Sequence, residues 1–114
     1  MKQANLFTQR SMFVDDADSL DLIANGIFEP EETESIMSLV KPGDGFLDVG
    51  ANVGYYTVLV AERVGSTGQV FAIEPNATNF EILDANTRIC QREGRVRICR
   101  NTLSDEAGLS NFFE

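Results

Sequence analysis

Three short apolar runs separated by two helical stretches constrain this chain more than any other feature. Phe46-Leu47-Asp48-Val49 follows Gly45 and reads as a strand that is apolar and buried on both faces. Gly50 to Gly54 is a turn, and a helix runs from about Val53 to Val64, with Tyr56, Val60 and Val64 near helical spacing. Gly65-Ser66-Thr67-Gly68 breaks it, and Gln69-Val70-Phe71-Ala72-Ile73 is a second strand. After Pro75-Asn76, a helix from about Ala77 to Arg92 carries Phe80, Leu83, Thr87 and Cys90 on one stripe. Arg95-Val96-Arg97-Ile98-Cys99 alternates and reads as a strand with one wet face; Ser104 to Gly108 is a turn before a further run from Leu109 to Phe113. Strand, helix, strand, helix, strand is the pattern of an α/β fold, a parallel sheet flanked by helices. The default ligand site of such a sheet lies at the carboxyl ends of its strands.

Residues 1–42 form a lead-in of a strand and helices, and residues 43–114 carry the sheet. Ser11-Met12-Phe13-Val14 fits a short strand and Asp15-Asp16-Ala17-Asp18 a polar turn. Leu20, Leu22, Ile23 and Ile27 suggest a short helix ending near Gly26. Pro30 to Val40 fits a second helix, with Pro30 in the first turn, three glutamates near its start, and Ile36, Leu39 and Val40 as its apolar face.

Composition then excludes some functions. The 114 residues carry 18 acidic and 9 basic groups, a net charge of −9, which argues against general nucleic-acid binding. Ten of the acidic groups fall in residues 1–50, while Arg88, Arg92, Arg95, Arg97 and Arg100 cluster later and read as a solvated helix end and wet strand face. There is no histidine, the commonest general base and metal ligand, and no residue matches a catalytic base by motif. Cys90 and Cys99 lack zinc-site spacing and read as buried or half-buried thiols of a reducing, cytoplasmic setting. No run approaches a transmembrane helix and no signal peptide is evident, so no membrane partner is expected.

The site chemistry starts at Asp48-Val49-Gly50-Ala51-Asn52-Val53-Gly54. Gly50 allows a sharp turn and close ligand approach, and Asn52 is placed to cap the following helix. Glu74, at the end of the next strand, is placed to accept the ribose hydroxyls of an adenosine ligand. Each feature alone fits an ordinary turn or helix start; together they point to a nucleoside-containing cofactor. Dinucleotide sites usually show Gly-x-Gly-x-x-Gly, and Asp48 beside the turn would repel a pyrophosphate. A carboxylate there suits a ligand with an amino group or sulfonium, and S-adenosylmethionine carries both. Tyr56 is expected to pack between helix and sheet, with Tyr55 facing the site. Thr57 is expected to pack, and Asn79 to hydrogen-bond at its helix start.

The segment Gly43 to Thr57, the run Val70 to Asn76 with Asn79, Phe80 and Leu83, the segment Leu103 to Gly108 and the lead-in Gly26 to Pro30 together resemble FkbM-type S-adenosylmethionine-dependent methyltransferases. The resemblance implies a Rossmann-like class I methyltransferase fold acting on a hydroxyl of a sugar or small metabolite. It places Asp48, Gly50, Ala51 and Asn52 around the methionine part of the cofactor, with Tyr55 facing it. It places Glu74, beside Pro75, at the ribose, and Leu103, Ser104 or Asp105 near the adenine. Glu29 would reach the cofactor mouth. In this family the acceptor and base residues come mostly from the fourth strand onward. The chain is therefore expected to be the cofactor-binding half of the domain, truncated after the third main strand. Phe46 to Val49 would then be an exposed apolar edge, open to self-association. An NAD-dependent oxidoreductase fragment and a non-catalytic nucleoside-binding or interaction module are the alternatives.

Overall fold

The computed structural model describes residues 1–101. Its centre is a parallel sheet of three strands, β3 (Gly45–Val49), β4 (Gln69–Ile73) and β5 (Val96–Cys99), in the order β3-β4-β5. Phe46, Val70 and Val96 stand in register, as do Asp48, Ala72 and Ile98. These residues share one face, because side chains alternate along a strand. Helices α3 (Tyr55–Val64) and α4 (Ala77–Arg92) both cover that face, since successive right-handed crossovers in one direction land on the same side. Val60, Val64 and Cys90 of the two helices bury Val70 and Val96 between them.

The opposite face differs from the sequence expectation. Leu47 is 43% and Val49 48% exposed, so β3 is not buried on both faces. The expectation of an exposed edge does hold: among the described residues β3 pairs only with β4.

Residues 2–14 form an antiparallel hairpin, β1 (Lys2–Asn5) with β2 (Ser11–Val14), in which Lys2 faces Val14 and Asn5 faces Ser11. The periodicity missed β1, because only Ala4 of its four residues is buried and its pairing is made by backbone. The short helix α1 (Leu22–Asn25) ends on Gly26, whose N–H bonds Leu22 O from a left-handed conformation. A Cβ on Gly26 would lie 3.0 Å from Asn5 O, so a side chain there would press on the hairpin from a strained left-handed backbone. Helix α2 (Pro30–Leu39) buries Thr33 and half-buries Ile36 and Met37, with Val40 buried just beyond its end. These four follow i, i+3, i+4, i+7 spacing. Leu39, expected on that face, falls off it and is 74% exposed. Ala4, Leu6, Met12, Val14 and Leu22 share one core with Val53, Tyr55, Val58, Leu59 and Ile82.

Arg95 also departs from a wet strand face. It precedes β5, and its guanidinium donates to Ala61 O at 2.7 Å and to Cys90 Sγ at 3.3 Å. Cys90 is buried and Cys99 half-buried, both free thiols.

Candidate functional site

The site is built where β3 and β4 end side by side. Asp48 points to the helix-covered face and is 8% exposed. Thr57, one turn into α3, donates its hydroxyl to Asp48 Oδ2 at 2.6 Å. Burial pushes the Asp48 carboxyl above its ordinary value of 3.8; the Thr57 hydrogen bond pulls it down, and the charge of Glu74 pushes it up again. Thr57 was expected only to pack. It is fully buried and also satisfies this carboxylate.

The chain then turns back across β4. Gly50 and Ala51 both donate to Ile73 O, at 2.9 and 3.0 Å. Gly50 takes φ 71°, and a Cβ there would meet no atom within 4 Å, so the turn faces open space. Asn52 is left-handed too, at φ 57°, a conformation asparagine tolerates better than most residues. It does not cap α3, as expected from its position. Its side-chain oxygen accepts from the Val53 N–H next to it, and the cap is Gly54, without a side-chain bond. A Cβ on Gly54 would press to 2.8 Å of Leu83, so this capping position is set by the packing of α3 on α4.

Glu74, just past β4, holds the turn from behind. Its Oε1 accepts the Asn52 N–H at 2.7 Å and its Oε2 the Asn76 N–H at 2.9 Å. The side chain is 6% exposed. Asn76 caps α4 by accepting the Asn79 N–H, so the helix-start bond expected at Asn79 is made by its backbone. Pro75 is exposed, and neither it nor Glu74 is among the residues lining the clefts around the turn. Leu103, Ser104 and Asp105 lie outside the described residues.

Asp48, Gly50, Ala51 and Asn52 line a cleft of about 260 Å³, together with Val49, Leu20, Phe28, Glu29, Tyr55 and Tyr56. Both tyrosines line the cleft and both pack against the core beneath it, Tyr55 the more deeply. Tyr55 is fully buried, with its hydroxyl 3.0 Å from Thr33 Oγ1 and its ring edge-on to Phe28 at 5.8 Å. Tyr56 is half-buried and donates to Glu29 Oε1 at 2.7 Å. Burial, then the Glu29 hydrogen bond, pushes the Tyr56 hydroxyl up to about 12. Glu29 thus stands on the cleft wall, as its place in the lead-in suggested.

Asn86 was not anticipated. From α4 it accepts the Phe13 N–H at 2.7 Å and donates to Phe13 O and Val53 O at 2.9 and 2.7 Å. It ties the hairpin to the turn that forms the site. Its signal in the sequence is an asparagine within the apolar stripe Leu83, Thr87, Cys90.

The sequence model of the TRM5/TYW2 methyltransferase domain matches residues 23–108. The chain belongs to this family. The methyltransferase domain is also similar to the ribosomal RNA large subunit methyltransferase E of Sorangium cellulosum (strain So ce56). That match is 29% identical over 73 residues, 64% of this chain and 34% of the relative. It is 41% identical over 71 residues to the 31-O-demethyl-FK506 methyltransferase FkbM of Streptomyces tacrolimicus, 61% of this chain and 26% of the relative. A SAM-dependent O-methyltransferase structure from Thermotoga maritima aligns with TM-score 0.60 and 26% identity, over 83% of this chain and 37% of that one. The chain thus spans between about a quarter and a third of the length of the curated relatives it matches. The fold is the Rossmann-like arrangement of class I methyltransferases. Among the described residues, no cluster of His, Cys, Asp and Glu is arranged to hold a metal ion, and no helix is long and apolar enough to cross a membrane.

Proposed function

We propose that this domain binds S-adenosylmethionine and serves methyl transfer to a hydroxyl of a sugar or small metabolite, as the FkbM-type resemblance implies. The observation that carries the reading is Glu74. It is a nearly buried carboxylate at a strand end, held by the backbone N–H groups of Asn52 and Asn76, and Asn52 belongs to the glycine turn that lines the cleft. A carboxylate offers about four lone-pair sites, so each Glu74 oxygen keeps one for a ribose hydroxyl. Asp48 Oδ2 is taken by Thr57, and its other oxygen is available to an ammonium group. The residues therefore fit the cofactor. When bound, it supplies a methyl group on a sulfonium. Glu74 then fixes the ribose, Asp48 and the Gly50-Ala51 backbone orient the amino-acid end, and Glu29 and Tyr56 bound the mouth.

The similarity to a ribosomal RNA methyltransferase raises a nucleic-acid acceptor as the other reading. The cleft walls weigh against it, because Asp48 and Glu29 line them and, among the described residues, no lysine or arginine does. No membrane partner, a cytoplasmic location and self-association through the β3 edge belong to the same reading. Sedimentation velocity checks the last: a concentration-dependent dimer is expected, and a monomer at every concentration would remove it.

Titration calorimetry tests the cofactor. S-adenosylhomocysteine is expected to bind and NAD is not. Binding of NAD alone would return the dinucleotide alternative, and binding of neither would leave a non-catalytic module.

A further inference from the structure

A second cleft, of about 450 Å³, opens beside the first and shares Leu20, Phe28 and Glu29 with it. Its volume lies in the roughly 300–1,000 Å³ range of small-molecule sites. Ser19, Asp21, Asn25, Ile27 and Pro30 complete its wall.

The polar groups here fall into two kinds. Asp15 and Asp18 hold the local backbone: Asp15 accepts the Ser19 N–H, and Asp18 accepts the N–H groups of Leu22 and Ile23. Asp21 and Glu29 do not. Each precedes a helix without making a side-chain capping bond, and each takes a left-handed φ, 55° and 46°. The only hydrogen bond to the Glu29 carboxylate among the described residues is the one from Tyr56, on Oε1. The cleft wall thus includes two carboxylates and the Asn25 amide, with Leu20, Ile27, Phe28 and Pro30 as apolar surface. No basic residue lines it.

We propose that this second cleft is the acceptor subsite, and that it takes a hydroxylated, non-anionic small molecule, favouring one with an ammonium group. The inference rests on reading the adjoining cleft as the cofactor site. A hydroxylated ring has an apolar C–H face for Leu20, Ile27, Phe28 and Pro30, and a rim of donors for Asp21, Asn25 and Glu29. The shared wall at Glu29, which accepts the Tyr56 hydroxyl, puts such a ring next to the cofactor cleft. A phosphorylated acceptor would meet two carboxylates with no compensating cation.

Amide NMR of the full chain saturated with S-adenosylhomocysteine tests this with three probes: glucosamine, methyl glucoside and glucose 6-phosphate. Glucosamine and methyl glucoside are expected to shift the Ser19, Asn25 and Phe28 amides saturably, glucosamine more tightly, and glucose 6-phosphate is not. Asp21→Asn keeps a residue that accepts left-handed backbone and removes the charge. It is expected to weaken glucosamine by up to about fivefold, the upper range for an exposed ion pair, and to leave S-adenosylhomocysteine binding unchanged. Glucose 6-phosphate binding as tightly as glucosamine would overturn the proposal, as would glucosamine binding that ignores Asp21→Asn. Sound S-adenosylhomocysteine binding with no sugar shifts would overturn this inference alone. Absent S-adenosylhomocysteine binding would overturn the cofactor reading and this inference with it.

Discussion

Asp48 and Glu74 are both buried carboxylates at the carboxyl ends of neighbouring parallel strands, yet their surroundings treat them differently. Glu74 receives backbone N–H groups on both oxygens, one from the turn after β3 and one from the approach to α4. Asp48 receives one hydroxyl, from Thr57, and burial outweighs it. Two loops fold onto Glu74, so it is a joint of the architecture. Asp48 sits beneath a turn whose free face points at the cleft, and the protein itself provides little to balance its charge. A bound cation would.

The sharpest break of this contrast is Glu74→Ala. It leaves the Asn52 and Asn76 N–H groups without their acceptor, at about 1–3 kcal/mol for each donor that stays buried and unpaired. Denaturant unfolding should show the loss, and calorimetry should show adenosyl binding weakened by a further charged hydrogen-bond pair, roughly 1.5–3 kcal/mol. An unchanged affinity would mean that the ribose is held elsewhere. Thr57→Val removes the donor that lowers the Asp48 pKa, and a stability loss of about 1 kcal/mol at neutral pH is expected. The loss should shrink when Asp48→Asn is already present, which a double-mutant cycle reads directly.

Asp48→Asn has the smallest effect on stability and the opposite sign. The folded carboxyl titrates above its unfolded value of 3.8. Its contribution to stability is therefore full below that value and is lost as pH rises through the raised folded pKa. Asparagine imitates the protonated form. The variant should melt a few degrees higher than the parent at pH 7, and the advantage should vanish below about pH 4. It should also bind S-adenosylhomocysteine roughly tenfold more weakly, through the lost charged hydrogen bond. A variant that melts lower at pH 7 would show that the ionised carboxylate stabilises the empty protein.

Much of the sheet was legible from local signals. β4 spans Gln69–Ile73 and α4 spans Ala77–Arg92, as the sequence suggests, because Gly68 and Asn76 punctuate them and capping is a local interaction. β1 was invisible, because a polar strand held by backbone pairing leaves no hydrophobic period. The site divides the same way. The Asp48–Asn52 run and Glu74 pointed by type and spacing to a nucleoside-containing cofactor. The partners of each group did not show, since Thr57, Asn86 and Thr33 act through contacts with residues distant in the chain. Tyr55 and Tyr56 are adjacent in sequence and about 100° apart around a helix. How deeply each is buried beside the cleft depends on how α3 rolls against Phe28 and α2.

The sequence by itself determined the order of strands and helices, the glycine turn and the two carboxylates that end neighbouring strands. Those follow from periodicity, φ preference and residue chemistry, all short-range properties. The tertiary structure decided how each carboxylate is used. Burial and most hydrogen-bond partners come from other segments: the turn after β3 reaches Glu74, α3 brings Thr57 to Asp48, and the lead-in brings Glu29 to the wall between two clefts. Charge is written in the residue, but its cost and its availability to a ligand are set by whatever the fold packs around it.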